Sequence, residues 1–172
     1  KKIASLGDIY INECFSVSHR NHASIVGIPK YLPSFPGLLL ENEIFNLKNL
    51  FLVKNQLDGI AVLGGSKIST KIKLIEFYAE KFSKLLIGGA MANTVCLSQG
   101  YEIGMSMHEK KMIEFCKNIM KTHKNKILLP TDFIVTDKKL QKTPQVKPIN
   151  KVGKNDVIVD IGPKTRMLFY NE

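Results

Sequence analysis

Two segments of this chain share one design: a short apolar run closed by paired glycines and followed by residues that recur with helical spacing. Gly59-Ile60-Ala61-Val62-Leu63 ends at Gly64-Gly65, and Ile68, Ile72, Ile75, Ala79 and Phe82 then repeat every three or four positions. Lys84-Leu85-Leu86-Ile87 ends at Gly88-Gly89, and a helix from Met91 to Ser98, closed by Gly100, follows. A strand that is apolar on both faces needs cover on both, and crossover helices supply it. The expected fold is therefore α/β, a doubly wound, Rossmann-like parallel sheet covered by helices.

The remaining chain fits that frame. Asp8 to Asn12 reads as a strand ending near Phe15, with a polar turn from Ser16 to His22 after it. Pro29, Pro33 and Pro36 punctuate the chain before a helix from Gly37 to Phe51, whose stripe is Leu40, Ile44, Leu47 and Phe51. Met112, Phe115 and Ile119 mark another helix. Lys126 to Leu129, Asp132 to Thr136 and Val157 to Ile161 add strands, and the polar stretch Asp137 to Asp156 reads as a surface excursion. A composition break at Pro33 to Gly37 sets a boundary. The opening residues read as the tail of a helix cut mid-element, a piece of something longer.

Composition narrows the function. With 172 residues, 44% hydrophobic and 23% charged, the chain can bury a core without disulfide or metal. No run of about eighteen apolar residues is free of charge, which excludes a membrane span, and the opening lacks the h-region of a signal peptide. Cys14, Cys96 and Cys116 are odd in number and widely spaced among apolar residues, the pattern of buried free thiols in a reducing cytosol. The net charge of +10 is almost all lysine, since Arg20 and Arg166 are the only arginines. These lysines are scattered without an aromatic-interleaved stripe, so the surface reads as solvated rather than as a nucleic-acid face.

Chemistry gathers at the strand ends. Gly64-Gly65-Ser66-Lys67-Ile68-Ser69-Thr70-Lys71 lies where open α/β sheets bind ligands. Lys67 and Lys71, four apart, are expected on one side of the first turns of a helix, where two cations are unfavourable unless an anion such as phosphate joins them, although both also suit water-facing ends of a Lys-rich chain. Gly88 and Gly89 repeat the theme and offer a bare wall for an adenine or ribose, or a close helix-to-strand contact. His19, Arg20 and His22 follow the first strand. The Arg20 fork can bind carboxylate or phosphate bidentately, and the histidines read as packing groups more readily than metal ligands. Asp160, at another strand-to-helix turn, reads as a helix cap.

Four motifs in order, Leu6-Gly7-Asp8-Ile9-Tyr10-Ile11-Asn12-Glu13-Cys14-Phe15 with His19-Arg20-Asn21-His22-Ala23-Ser24, Leu63-Gly64-Gly65-Ser66-Lys67-Ile68-Ser69-Thr70-Lys71-Ile72, Ile87-Gly88-Gly89-Ala90-Met91-Ala92-Asn93-Thr94 and Asp160-Ile161-Gly162-Pro163-Lys164-Thr165, resemble the phosphoglycerate kinases. The resemblance implies a two-domain glycolytic kinase of the cytosol, a monomer that moves a phosphoryl group between 1,3-bisphosphoglycerate and MgADP to give 3-phosphoglycerate and ATP. It assigns residues 1–36 to an acceptor-domain remnant, 37–55 to an interdomain connector helix and 56–172 to an incomplete nucleotide domain. It casts Arg20 and His19 as substrate-binding residues, with Arg20 also among the catalytic ones. Lys67 is cast as the catalytic lysine on the transferring phosphoryl group, Lys71 as the holder of nucleotide phosphates, and Gly64, Gly65, Gly88 and Gly89 as the nucleotide pocket wall. The partners implied are small molecules, with Mg2+ arriving on ADP or ATP, and neither nucleic acid nor membrane.

The sequence departs from the family at Ala90, where a third glycine is usual, and at Ser16-Val17-Ser18, before the His-Arg pair. Further acceptor-site arginines and a carboxyl-terminal glycine-rich segment with its Asp are missing, so this chain alone is expected not to turn over. The alternative is a degenerate nucleotide-binding fragment.

Overall fold

Strands that end in glycine govern both units of the chain, Lys1–Lys54 and Asn55–Glu172, in a computed structural model that describes residues 1–52 and 57–172. In the first unit β1 (Tyr10–Asn12) and β2 (Ser34–Pro36) pair in parallel, with Ile11 opposite Phe35. β1 is shorter than expected because the Asn12 side-chain oxygen accepts the Cys14 N–H at 2.9 Å and closes a turn. A 3-10 turn, Phe15–Val17, and a π-helical turn, Ala23–Gly27, replace the simple polar turn. The first residues form one 3-10 turn, Ala4–Leu6.

Helix α1 (Leu38–Leu52) follows β2 through Gly37. The Glu13 carboxylate accepts the N–H groups of Leu39 and Leu40 at 2.9 and 3.2 Å, and a Cβ at position 37 would fall inside that carboxylate. The helix is where periodicity places it, but its stripe is not a core face. Leu40 is buried and Ile44 is 44% exposed, as are Leu38, Leu39 and Phe45 to larger extents. The Phe51 side chain lies outside the described residues, as does part of 37–55.

The second unit contains the expected parallel sheet, in the order β3 (Leu57–Leu63), β4 (Phe82–Ile87), β5 (Ile127–Leu128). Crossovers run through α2 (Ile72–Lys81), α3 (Gly89–Ser98) and α4 (Ile113–His123). Ala61, Leu63, Leu85 and Ile87 pack on Ile75, Ala79, Val95 and Ile119. A second, antiparallel sheet adds to it, in the order β7 (Gln145–Pro148), β6 (Asp132–Thr136), β8 (Val157–Ile161). Phe133 and Val135 pack there with Cys96 and Ile103. α3 serves both cores, which is why Met91 to Cys96 are buried all round and the helix shows no polar stripe.

The stretch read as a surface excursion therefore supplies β7 and the buried Val152, fastened by a 2.7 Å Lys147–Asp156 ion pair. Cysteine burial differs from the sequence reading at one position. Cys96 and Cys116 are buried thiols pushed up to about 12 by desolvation, but Cys14 is exposed in the turn after β1.

Helix α5 (Pro163–Tyr170) begins after Gly162 at the end of β8. Its cap is Asp132 rather than Asp160. Asp132 is 2% exposed and accepts Lys164 N–H at 3.0 Å, Thr165 N–H at 2.7 Å and the Thr165 hydroxyl at 2.6 Å. Asp160 instead accepts the N–H of Ile161, with no bond to α5 among the described residues. Burial alone would raise the Asp132 pKa, but the Thr165 hydroxyl, the two N–H groups and the Lys164 charge outweigh it and hold it low. Asp132→Ala should lower unfolding free energy by about 2–4 kcal/mol, because it strips buried donors of their acceptor. Asp160→Ala should change it by less than about 0.5 kcal/mol in the same urea titration.

Candidate functional site

Parallel pairing of β3 with β4 sets Leu63 beside Ile87, so the two glycine turns leave the sheet at one edge. Gly88 N–H donates to Leu63 carbonyl at 2.8 Å, and Met91 N–H donates to Gly65 carbonyl at 2.9 Å. Gly89 adopts φ +61°, and a Cβ there would meet Gly65 N at 3.0 Å and Gly65 O at 3.1 Å. The close helix-to-strand contact is therefore real at Gly89. At Gly64 and Gly88 a Cβ would meet nothing within 4 Å, which leaves bare backbone facing open space. Gly65, at φ +126°, has the Lys71 ammonium 3.6 Å from its Cβ position.

The helical placement of the lysines is corrected. α2 starts at Ile72, so Lys71 is its N-cap residue and Lys67 lies in the preceding turn. Side chains there compete with the helix: the Thr70 hydroxyl donates to Lys67 carbonyl at 3.1 Å, and Lys71 N–H closes on Ile68 carbonyl at 2.8 Å. Ile68, read as helical core, is buried from that turn, and Phe82 begins β4. Lys67 is exposed and Lys71 half-exposed, and only Lys71 sits against the positive end of α2.

An internal anion already serves this turn, one that sequence reading missed. The Glu109 carboxylate accepts Ile68 N–H at 2.5 Å, Ser69 N–H at 3.1 Å and the Ser69 hydroxyl at 2.6 Å. The Ser69 hydroxyl first, then the two N–H groups and the Lys67 charge, hold Glu109 below its ordinary value. No local pattern announces a contact 41 residues long.

Beyond Gly89 a largely apolar groove of about 330 Å³ continues past Ala90, Asn93 and Met107 to Val157–Ile161. Asn93 is 2% exposed and donates to Met107 carbonyl at 3.1 Å. Its Oδ1 is the buried side-chain polar atom that has no partner among the described residues.

The structure thus brings together Gly64, Gly65, Lys67, Lys71, Gly88 and Gly89. His19, Arg20 and His22 are exposed in the first unit, on the loop after β1, where Arg20 N–H donates to Val17 carbonyl. No group of three His, Cys, Asp or Glu among the described residues is placed to hold a metal ion. No described helix is long and apolar enough to cross a membrane.

Comparison with known proteins follows this geometry. A family model described as phosphoglycerate kinase matches residues 1–172. The phosphoglycerate kinase of Dictyoglomus turgidum is 40% identical over 176 residues, covering 100% of this chain and 44% of that protein. That of Coprothermobacter proteolyticus is 39% identical, covering 99% and 44%. The solved phosphoglycerate kinase of Coxiella burnetii superposes with a TM-score of 0.80 at 35% identity, over 99% of this chain and 45% of its own. That of Pyrococcus horikoshii gives 0.81 at 26%, over 99% and 44%. The chain spans about 44% of the length of the curated relatives it matches.

The Glu109 bonds make the turn acid-sensitive. An unfolded Glu takes up its proton near pH 4.5 and the folded one only at lower pH, so this stabilisation is complete above about pH 4.5 and lost as pH falls through the depressed value. The gap in urea midpoint between the wild-type chain and Glu109→Ala should therefore be largest near neutrality and narrow as pH falls below about 4.5.

Proposed function

The chain belongs to the phosphoglycerate kinase family, and from that premise we propose that it supplies the nucleotide half, and part of the acceptor half, of a site for reversible phosphoryl transfer between 1,3-bisphosphoglycerate and MgADP, giving 3-phosphoglycerate and ATP. The observation that carries this reading is the junction of the two glycine turns, with the Lys71 ammonium set over Gly65. The bare backbone at Gly64 and Gly88 admits phosphates and ribose, and the groove beyond Gly89 suits a flat, mostly apolar base.

In the transfer a terminal oxygen of the ADP β-phosphate forms a bond to the acyl-phosphate phosphorus, and the bond from phosphorus to the carboxyl oxygen breaks. The electron pair stays on the leaving carboxylate. No proton changes hands, which agrees with a strand-end site whose cations are lysines. Lys71 holds charge already present on the bound nucleotide, and Lys67 meets the phosphoryl group in transit, where positioning and charge neutralisation are the main contributions. Mg2+ comes as part of the nucleotide substrate and screens its phosphates. Arg20, with His19 beside it, binds the acceptor's carboxylate or phosphate, the Arg20 fork also serving catalysis. Helix α1 is the connector between acceptor and nucleotide domains, and the protein works as a cytosolic monomer on small molecules, without nucleic acid or membrane.

Because the chain spans under half the length of its relatives, it should bind MgADP without turning over unless the remaining polypeptide is supplied. In this chain Lys71→Ala should weaken MgADP binding, read by calorimetry. In a completed enzyme Lys67→Ala should lower kcat and kcat/KM together by about 30- to 1,000-fold, or roughly 2–4 kcal/mol in the transition state, with little change in nucleotide affinity. Arg20→Lys should raise the KM for acceptor, because a lysine cannot reproduce the bidentate pair. Measurable turnover by this chain alone, above a Lys67→Ala control, overturns the division of labour.

A further inference from the structure

A carboxylate next to two phosphate-binding lysines is a poor electrostatic choice unless it does something the lysines need. Glu109 is anchored from both ends. Its backbone N–H donates at 3.1 Å to Thr94 Oγ1, and Thr94 is fully buried in α3, the helix that begins at the second glycine turn. Its carboxylate takes the N–H groups of Ile68 and Ser69 and the Ser69 hydroxyl, all in the first glycine loop between Lys67 and Lys71. One residue thus ties the loop carrying both lysines to the helix whose start forms the opposite wall.

We propose that Glu109 is a positioning residue, fixing the Lys67–Lys71 turn against α3 so that both ammonium groups face the phosphates of a nucleotide lying across the glycine turns. This rests on the nucleotide reading above. The bonds act on the turn between the lysines and not on the Gly89 groove, so the consequence of losing them falls on phosphate recognition and spares the base. The charge acts the other way, since a carboxylate near the site repels phosphate. Removing the bonds and removing the charge therefore have opposite signs in ADP affinity, and the two can be told apart.

The test measures dissociation constants of MgADP and of adenosine for the wild-type chain, Glu109→Ala, Glu109→Gln, Ser69→Ala and Lys71→Ala, by calorimetry and ligand-observed NMR. Glu109→Ala is expected to weaken MgADP by about 3- to 30-fold, within the range of coupling between neighbouring groups, with adenosine within about twofold of wild type. Glu109→Gln keeps the acceptor and the shape, and should rescue MgADP affinity to wild type or better. Ser69→Ala removes one of the three bonds and should give a smaller loss confined to MgADP. It also decides the matter should Glu109→Ala fail to fold. Equal or tighter MgADP binding by Glu109→Ala, with Lys71→Ala weakened, overturns the positioning role and leaves the nucleotide reading standing. Equal loss of adenosine and MgADP also overturns it, showing a merely structural contact. A wild-type chain that binds neither ligand overturns the nucleotide reading and this inference with it.

Discussion

Carboxylates that arrive from distant points of the chain hold helix starts in place. None of α2 to α5 has a side-chain bond from its own N-cap residue. Instead Glu13 takes the N–H groups of the second and third residues of α1, Asp132 those of the second and third residues of α5, and Glu109 a pair in the turn before α2. Each helix start is a cluster of unpaired donors with partial positive charge, and a cap there contributes about 1 kcal/mol, more when buried. In a chain with 25 basic and 15 acidic side chains, these three acids also offset local excess charge. The glycines answer to this arrangement. At Gly37 and Gly162 any Cβ would collide with the incoming carboxylate, so the capping acid and the bare N-cap come as a pair.

The candidate site is the same junction built differently. β2 leads through Gly37 into α1, β8 through Gly162 into α5, and β4 through Gly88 into α3. In the first two the neighbouring strand contributes an acid. In the third it contributes Gly64 and Gly65, whose carbonyl takes one N–H of α3 while the backbone beside it stays uncovered. The third junction thus keeps the geometry of the others and omits their built-in anion, and the anion that is present, Glu109, is moved to the far side of the loop. Two helix starts are capped by the protein's own carboxylates and the third is left as bare glycine, which is the open backbone that the proposed phosphate site calls for.

Much of this was legible in sequence because it is local. Apolar runs ending in Gly-Gly located β3 and β4 and their helices, and the diglycines located the strand-end junction proposed as the site, since period and turn chemistry act over a few residues. The failures share a cause. Ile68 fits the helical period of α2, yet Ser69 and Thr70 turn their side chains onto nearby groups and delay the helix to Ile72. Asp160 sits where a cap is expected, but the antiparallel pairing of β6 with β8 brings Asp132 to the same helix with better geometry. Ile44 keeps the spacing of a core stripe, and spacing alone does not say what lies opposite it. β7 was lost among polar residues because one antiparallel partner suffices to hold it. At Ile68 and Asp160 a contact more than thirty residues long, or a side chain acting on nearby backbone, overrides the local signal.

The separations between caps and helices also carry an order in time. Glu13 precedes α1 by 26 residues and Asp132 precedes α5 by about 33, so on a growing chain the acid exists before the helix that needs it. Glu109 is the reverse, following the turn it grips by 41 residues, with β4 and α3 in between. Helices α1 and α5 can close on a cap as they emerge, whereas the lysine-bearing turn has no carboxylate to close on until β4 and α3 have been made and Glu109 has followed them. The turn thus depends on chain made after it, and takes its shape from the helix that forms the opposite wall.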